Sequence, residues 1–260
     1  MVLKILNKII IKMARRLHRK NLKKYTYTTN NGRLCNQVIR NLAVSLIAKK
    51  HDLFVKYFNQ ELVESLGLDL YKGKNYYSDI IDLNNNNYFE ILLGNKLEYN
   101  LNPNNEYFQD EKITDLIYDH IKSVKLNIIS VNNYRDRYEK NNDIFIHIRL
   151  SDASQWNPGI NYYKKCIEKI DYDNIYVSSD SPSHYIITKL KEIFPNIIIF
   201  INNERETIHF GSTCKHVILS HGSFSSVIGY LSFFSNVYYP NYKPAWCPLG
   251  MFTNKGWTGV

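Results

Sequence analysis

Asp143-Ile144-Phe145-Ile146-His147-Ile148-Arg149-Leu150-Ser151-Asp152 changes character over a short stretch of chain. Its first part, Asp143–Ile148, is apolar, isoleucine-rich and too short for a helix, so it reads as a buried strand. His147, Arg149 and Asp152 then gather polar chemistry at that strand's carboxyl end. Toward the C-terminus the alternation repeats. Asn161–Ile170 reads as a helix, Asn174–Ser178 as a strand, Ser183–Phe194 as a helix and Asn196–Ile201 as a strand. A helix near Glu206–Cys214, a strand at Val217–Ser220, an apolar helix near Phe224–Phe234 and a strand at Val237–Tyr239 complete the series. Strands separated by helices at these spacings predict a parallel sheet covered on both faces. Ligands of such sheets bind at the carboxyl ends of the strands.

Toward the N-terminus the pattern is less regular. Tyr25–Thr29 reads as a strand and Asn30-Asn31-Gly32 as a turn. Asn36–Lys50 is a helix with Val38, Leu42, Ser45 and Leu46 on one face, and Leu53–Tyr57 is a strand. Asn84–Asn87 is a polar loop, Glu111–Val124 a helix, and Asn132–Asn142 a polar, charged link between two halves. The expected class is α/β: two Rossmann-like lobes facing a cleft, with a parallel sheet in the C-terminal lobe. Residues 1–24 form an N-terminal arm, 25–140 the first lobe and 141–260 the second.

The chain of 260 residues carries a net charge of +9, and the location of that charge decides its meaning. Residues 1–24 hold nine lysines and arginines and no acid, which is the whole excess; residues 25–260 balance at 24 basic against 24 acidic side chains. A nucleic-acid binder carries its basic patch on the folded body among exposed aromatics, so nucleic acid is not the expected partner. Within the arm Val2, Leu6, Ile9, Met13 and Leu17 recur at helical spacing between the basic residues. Two readings stand side by side: a helix packed on the body or partly disordered, and a basic amphipathic helix lying on an anionic membrane. No run reaches the ~18–20 uncharged apolar residues that span a bilayer, and no secretory cleavage pattern is present. Cys35, Cys166, Cys214 and Cys247 are far apart and form no C-x-x-C. A reducing, cytoplasmic location is expected, membrane-peripheral if the arm binds lipid, and not secretion.

Three polar segments end three strands of the second half: His147–Asp152, Ser178-Ser179-Asp180-Ser181-Pro182, and His221-Gly222-Ser223-Phe224-Ser225-Ser226. Together they suit a nucleoside diphosphate. The fork of Arg149 matches phosphate oxygens. Hydroxyls and N–H groups over Ser223–Ser226, at a helix start, make an anion site. Asp180 can accept from base or ribose hydroxyls. Taken singly, an arginine at a strand end is more often a surface ion pair and a serine-rich helix start only a cap; their convergence on one rim favours the binding site.

These segments resemble the α-1,2-fucosyltransferases of glycosyltransferase family 11, and more distantly other fucosyltransferases with an H-x-R-x-x-D motif. The resemblance spans residues 26–246, in the family's order. Gly32-Arg33-Leu34-Cys35-Asn36-Gln37 resembles its G-G-L-G-N-Q turn, Tyr107-Phe108-Gln109-Asp110-Glu111-Lys112 its Y-F-Q-S-E-K, and His147–Asp152 its H-x-R-x-x-D. Asn161-Tyr162-Tyr163-Lys164-Lys165 resembles the following helix and Ser179-Asp180 the S-D; Cys214-Lys215-His216 with Ser223-Phe224-Ser225 resembles its C-K-H and S-S-F-S. The resemblance implies a GT-B-like enzyme that binds GDP-fucose in the C-terminal lobe, takes a glycan acceptor on the N-terminal side, needs no cofactor or metal, and inverts at the sugar carbon. It implies that Arg149 contacts the β-phosphate, that His147 shapes the same pocket, and that Ser223, Phe224, Ser225 and Ser226 hold the donor phosphates. It further implies that Asp180 lies near the nucleoside and that Asn36 and Gln37, facing across the cleft, help hold the donor or the acceptor. The sequence departs from the family at Arg33 and Cys35, which replace glycines, at Leu150, where many members carry a second arginine, and at Ser226-Val227, where relatives carry tryptophans.

Asp152 is the only carboxylate between His147 and Lys165. It has two readings, a base for the acceptor hydroxyl and an orienting partner of Arg149. The single Asp-x-Asp, Asp171-Tyr172-Asp173, precedes a strand and so sits at the wrong end for a metal-assisted donor site; Cys214, His216 and His221 lack zinc spacing. Trp156, Tyr162 and Trp246 are acceptor-binding candidates. Two further functions remain open: transfer of another nucleotide-activated sugar, and a nucleotide-sugar or glycan-binding protein without turnover.

Overall fold

The computed structural model describes residues 25–260; the basic arm of residues 1–24, with the choice between a packed and a membrane-bound helix, lies outside the described residues. In chain order the first half contains β1 (Thr26–Tyr27), α1 (Leu34–His51), β2 (Val55–Lys56), α2 (Gln60–Glu64), β3 (Ile80–Asp82), α3 (Tyr88–Leu93), β4 (Asn100–Asn102), α4 (Glu111–Ser123) and α5 (Lys125–Val131). The second half contains β5 (Ile144–Ile148), α6 (Ile160–Ile167), β6 (Ile175–Ser179), α7 (Tyr185–Ile193), β7 (Ile197–Ile199), α8 (Glu204–Gly211), β8 (His216–Ile218), α9 (Ser223–Leu231), β9 (Asn236–Tyr239) and β10 (Thr258–Gly259).

The second half is a six-stranded sheet in the order β10-β9-β8-β5-β6-β7, with every neighbouring pair parallel. From β5 the chain steps outward to β6 and β7, then returns to the other side of β5 as β8 and moves outward again. That reversal is the topological switch of a doubly wound α/β sheet, and it leaves a crevice outside the carboxyl ends of β5 and β8. Strand β5 is buried along its whole length. Its alternating side chains divide the interior. Ile144, Ile146 and Ile148 join Leu150 and residues of α6 and α7 in one apolar cluster. Phe145 faces the other way, into a cluster shared with α8, α9 and α1.

Helix α1 was expected to start at Asn36 with a single apolar face. It starts at Leu34, and thirteen of its residues are buried on all sides, because Leu34, Cys35, Val38, Ile39, Leu42, Ala43, Val44, Ile47 and Ala48 leave no continuous polar face. Lys49, Lys50 and His51 in the last turn oppose the negative end of its dipole. The strands of this half are two short parallel pairs, β1 with β2 and β3 with β4. The Thr26 hydroxyl links the pairs by accepting the Leu101 N–H at 2.8 Å. The larger apolar cluster runs from α1 through α4 to β8 and Phe252, so the two halves share one core.

The link Asn132–Asn142 is bonded to the base of the sheet. The Asn132 amide donates to the His209 carbonyl, Asn141 donates to the Thr213 carbonyl, and Arg137 pairs with buried Asp143 at 2.6 Å while its guanidinium lies over Phe210. Gly211, the last residue of α8, lets that helix close onto β5: a Cβ there would lie 2.6 Å from the Phe145 ring. Phe145 is itself packed edge-on against Phe200 and Phe210. Gly211→Ala is therefore expected to destabilise the chain by about 1–3 kcal/mol through overpacking. Urea unfolding measures it, and an unchanged midpoint contradicts this account of the contact.

Candidate functional site

A cleft of about 610 Å³ opens at the crevice between β5 and β8 and is closed on its far side by the start of α1. The N-terminal half contributes Gly32 to Asn36, Tyr107 and Gln109; the C-terminal half contributes His147, Arg149, Asp152, Ser178 to Asp180, residues 202–204, Thr207, residues 221–224 and Trp246. The rim of the first half is shaped from within. The guanidinium of fully buried Arg40 donates to the carbonyls of Glu106 at 2.8 Å, Asn31 at 2.8 Å and Thr29 at 3.2 Å. One side chain thus fixes both loops that face the sheet. Gly32 has φ +79°, and a Cβ on it would strike Asn36 and Tyr107. The turn before α1 consequently needs glycine there. Asn36 lines the cleft with its amide oxygen accepting from Gln109 at 2.8 Å.

Two helices, α1 and α9, start at this cleft without a side-chain cap on their leading N–H groups. Arg33 is the N-cap of α1 and Gly222, at φ 107°, that of α9; neither helix has a side-chain cap or an acid in its first turn. Both positive dipole ends therefore favour an anion. Helix α8 differs. Asn203 caps it by accepting from the Glu206 N–H at 2.9 Å, and Glu204 and Glu206 stand in its first turn. The cleft is graded from cation-like at α1 and α9 to neutral or acidic at α8.

Arg149 sits between these ends. Its backbone N–H donates to Ser220 Oγ at 2.9 Å, and its guanidinium pairs with both Asp152 and Asp180. Burial lowers its pKa, and the charge of Arg33 lowers it further while Asp152 raises it. Arg33 reaches the same carboxylates from α1, at 3.5 Å from each. Its side chain and that of Asp152 are 65% and 66% exposed, so this pair contributes on the order of 0–1 kcal/mol. Asp180 is fixed differently: its Oδ1 accepts the Leu150 N–H at 2.8 Å.

His147 lines the cleft on the α9 side of β5. Its Nδ1 lies 2.6 Å from Ser225 Oγ, and Phe224 packs on its ring at 4.9 Å. Burial, aided by the charge of Arg149, pushes its pKa down to about 3, so it is neutral near pH 7 and adds no charge to the site. His221 is buried with neither ring nitrogen partnered, and burial pushes it down to about 4.

Arg149, His147, Asp152, Asp180, Ser223, Phe224 and Asn36 thus come together as expected. Three residues do not. Gln37 points away from the cleft: its amide donates to the Gly32 and Asn30 carbonyls and accepts from Asn59, because one step along a helix turns a side chain by about 100°. Ser225 bonds His147 and the Ser220 N–H beneath the cleft surface, and Ser226 returns its hydroxyl to the Ser223 carbonyl. Their roles are corrected from donor contact to support. Asp180, expected to accept from base or ribose hydroxyls, has both oxygens engaged by Leu150, Arg149 and Arg33. Leu150 is buried in the core on the opposite face of the sheet, so its apolar side chain does not face the cleft.

Asn202, Asn203, Glu204 and Thr207 line the cleft without a clear sequence signal; His221 belongs to the third polar segment, Trp246 is one of the acceptor-binding candidates, and Tyr107 and Gln109 lie in a matched motif that gave them no role. Trp246 lines the cleft, and the ring of Trp156 lies 5.9 Å from it. Asp171-Tyr172-Asp173 lies in the connection to the amino end of β6, where the Asp173 N–H donates to Asn142 O, far from the carboxyl rim. Among the described residues no group of three His, Cys, Asp or Glu side chains is arranged to hold a metal, and no helix is long and apolar enough to cross a membrane.

No family model matches this chain, and no curated protein matches it. Among solved structures it is similar to the NodZ α-1,6-fucosyltransferase soaked with GDP-fucose, at 14% identity over 47% of each chain with a TM-score of 0.26. It is also similar to a mutant of Arabidopsis thaliana FUT1 in complex with GDP, at 13% identity over 89% of this chain and 74% of that one, TM-score 0.49. Fucosyltransferase NodZ from Bradyrhizobium matches at 13% identity over 46% of each chain, TM-score 0.27. The chain spans about half the length of the NodZ chains it matches.

The buried histidines give a pH signature. His147, His209 and His221 have folded-state pKa values of about 3, 4 and 4, against an ordinary value of 6.5. Above pH 6.5 neither folded nor unfolded chain protonates them, and the fold keeps its full stability. As pH falls below 6.5 the unfolded chain takes up protons that the fold refuses, so stability is lost on acidification toward pH 4 and 3. Each histidine contributes up to about 1.4 kcal/mol per pH unit within its window. Melting temperatures at pH 7, 5.5 and 4.5 should fall progressively, and more shallowly for His221→Asn; identical slopes would remove this assignment.

Proposed function

We propose that this chain is a glycosyltransferase that moves fucose from GDP-fucose to a glycan hydroxyl, forming an α-1,2 linkage with inversion and without a metal. The observation that carries the reading is the convergence of Arg149 with the uncapped starts of α1 and α9 on one cleft at the switch point of a doubly wound sheet. Such a cleft suits a diphosphate flanked by a neutral base. The graded charge gives the donor a direction: diphosphate toward Arg149 and Ser223, base toward the amides and carboxylate of residues 202–204. The fucose assignment rests on the ordered resemblance of Gly32–Gln37, Tyr107–Lys112, His147–Asp152, Ser179-Asp180 and Ser223–Ser225 to the α-1,2-fucosyltransferases.

In the reaction the acceptor oxygen bonds to the anomeric carbon from the face opposite the phosphate. The bond from that carbon to the β-phosphate oxygen breaks, the electron pair leaves on GDP, and the hydroxyl proton passes to a base or to solvent. Positioned positive groups matter most where charge develops on the leaving diphosphate. Arg149 and the helix starts supply that stabilisation, with neutral His147 filling the wall behind it. Asp152 is the carboxylate available to take the proton once it parts from Arg149. Trp246 and its neighbour Trp156 offer the acceptor an apolar ring face.

Incubation with a panel of nucleotide sugars, followed by assay of released nucleotide, tests the reading. GDP release from GDP-fucose is expected, unaffected by EDTA and at least 100-fold slower in Arg149→Ala with its fold intact. Release only from another donor would reassign the sugar, donor binding without release would mark a non-catalytic binding protein, and activity abolished by EDTA and restored by Mn²⁺ would overturn metal independence. We also propose a cytoplasmic chain whose basic residues 1–24 either pack on the body or contact anionic membrane. Liposome flotation with and without those residues measures that contact, and equal flotation removes it.

A further inference from the structure

Arg33 enters the sequence as the loss of a glycine, and Leu150 as the loss of an arginine. In the folded chain the two departures lie on opposite sides of the sheet. Leu150 is buried on the far face of the sheet, while Arg33 stands at the start of α1 directly across the cleft from Arg149. The two guanidinium groups converge on the same atoms. Arg149 Nη2 and Arg33 Nη2 both address Asp152 Oδ1, and Arg149 Nη1 and Arg33 Nη1 both address Asp180 Oδ2. Two forks from opposite halves of the molecule thus face one pair of anionic oxygens.

We propose that Arg33 and Arg149 form a clamp across the cleft for the diphosphate of the nucleotide, with Arg33, at the N-cap of α1, supplying the second guanidinium. The inference rests on the donor reading above and assigns the residue that completes its anion site. Nonbridging oxygens on two adjacent phosphorus atoms offer the paired acceptors that the carboxylates now provide, and guanidinium forks bind such oxygens bidentately. Two arginines and two aspartates balance, so a diphosphate is accepted only when a carboxylate withdraws and leaves the guanidinium groups in excess. Asp152 is the one able to withdraw: its side chain is 66% exposed, whereas Asp180 is 21% exposed and held by the Leu150 N–H. The uncapped start of α1 lies behind Arg33 and adds its dipole on the same side.

Isothermal titration of the full chain with GDP, UDP, inorganic pyrophosphate and guanosine tests the clamp. Arg33→Ala is expected to weaken GDP and pyrophosphate about 10-fold or more while leaving guanosine unchanged, and Arg33→Lys to recover part of the loss. Arg33 is a surface side chain, and matching circular dichroism and melting temperature confirm that each variant is folded. Unchanged pyrophosphate and GDP affinity in folded Arg33→Ala overturns the clamp while leaving the donor reading in place. An equal loss for guanosine also overturns it, since that marks a general disturbance of the cleft. If the parent binds UDP and pyrophosphate with the same dependence on Arg33 but not GDP, the clamp stands and the guanine donor falls. If the parent binds none of the three, both fall.

Discussion

The reversal of strand order at β5 is the constraint on which the rest of the molecule depends. Once the chain has moved out to β7 and returned beside β5 as β8, the two connections cover opposite faces of the sheet and part at its carboxyl edge. The crevice left there is lined from β5 by Arg149 and from the β8–α9 turn by His221, Gly222 and Ser223. Ser225 ties these two walls by reaching His147 on one and the Ser220 N–H on the other. Helix α1 then presents its own start to the same crevice, held by a buried arginine that pins the adjoining loops. Site chemistry and fold geometry are in this sense one arrangement: a nucleotide cleft arises because the sheet reverses, and its sign arises because two helices begin at it uncapped.

Much of this was legible in the sequence. Runs such as Asn174–Ser178 and Val217–Ser220 lie within one or two residues of the strands they became, because buried parallel strands are apolar on both faces and stand out against polar flanks. The convergence of the Arg149, Asp180 and Ser223 segments followed from the same reading, since successive parallel strands end on one side. The two-residue strands β1, β2 and β10 and the three-residue β3 and β4 were shortened or invisible, because so few residues carry no periodicity. The continuous core across the two halves was equally hidden, because which buried residues touch depends on packing between distant segments.

Side-chain direction accounts for the misplaced site residues. Asn36 and Gln37 are neighbours in sequence but occupy different sides of α1, and only Asn36 reaches the cleft. Ser223 and Phe224 face it while Ser225 and Ser226 turn inward by the same helical rotation. Leu150 and His147 are separated by the alternation of a strand and its continuation, which puts them on opposite faces. Arg33 went unread for a different reason: its sequence neighbours mark a glycine turn, and only the approach of α1 to Asp152 and Asp180 reveals what its charge is for. Arg40 is the plainest case of burial overriding composition, a cation inside an apolar helix whose partners are backbone carbonyls from distant loops.

The shared core has a mechanical consequence. Apolar packing that passes unbroken from α1 through α4 to β8 and Phe252 leaves no interdomain plane along which one half can turn against the other, and close-packed interiors deform little. Turning one half against the other would expose packed apolar surface, so the continuous core resists hinge opening of the cleft. A molecule built this way admits or refuses its guests through the reach of individual side chains at the rim, and a single exchanged residue there changes the aperture without moving the walls.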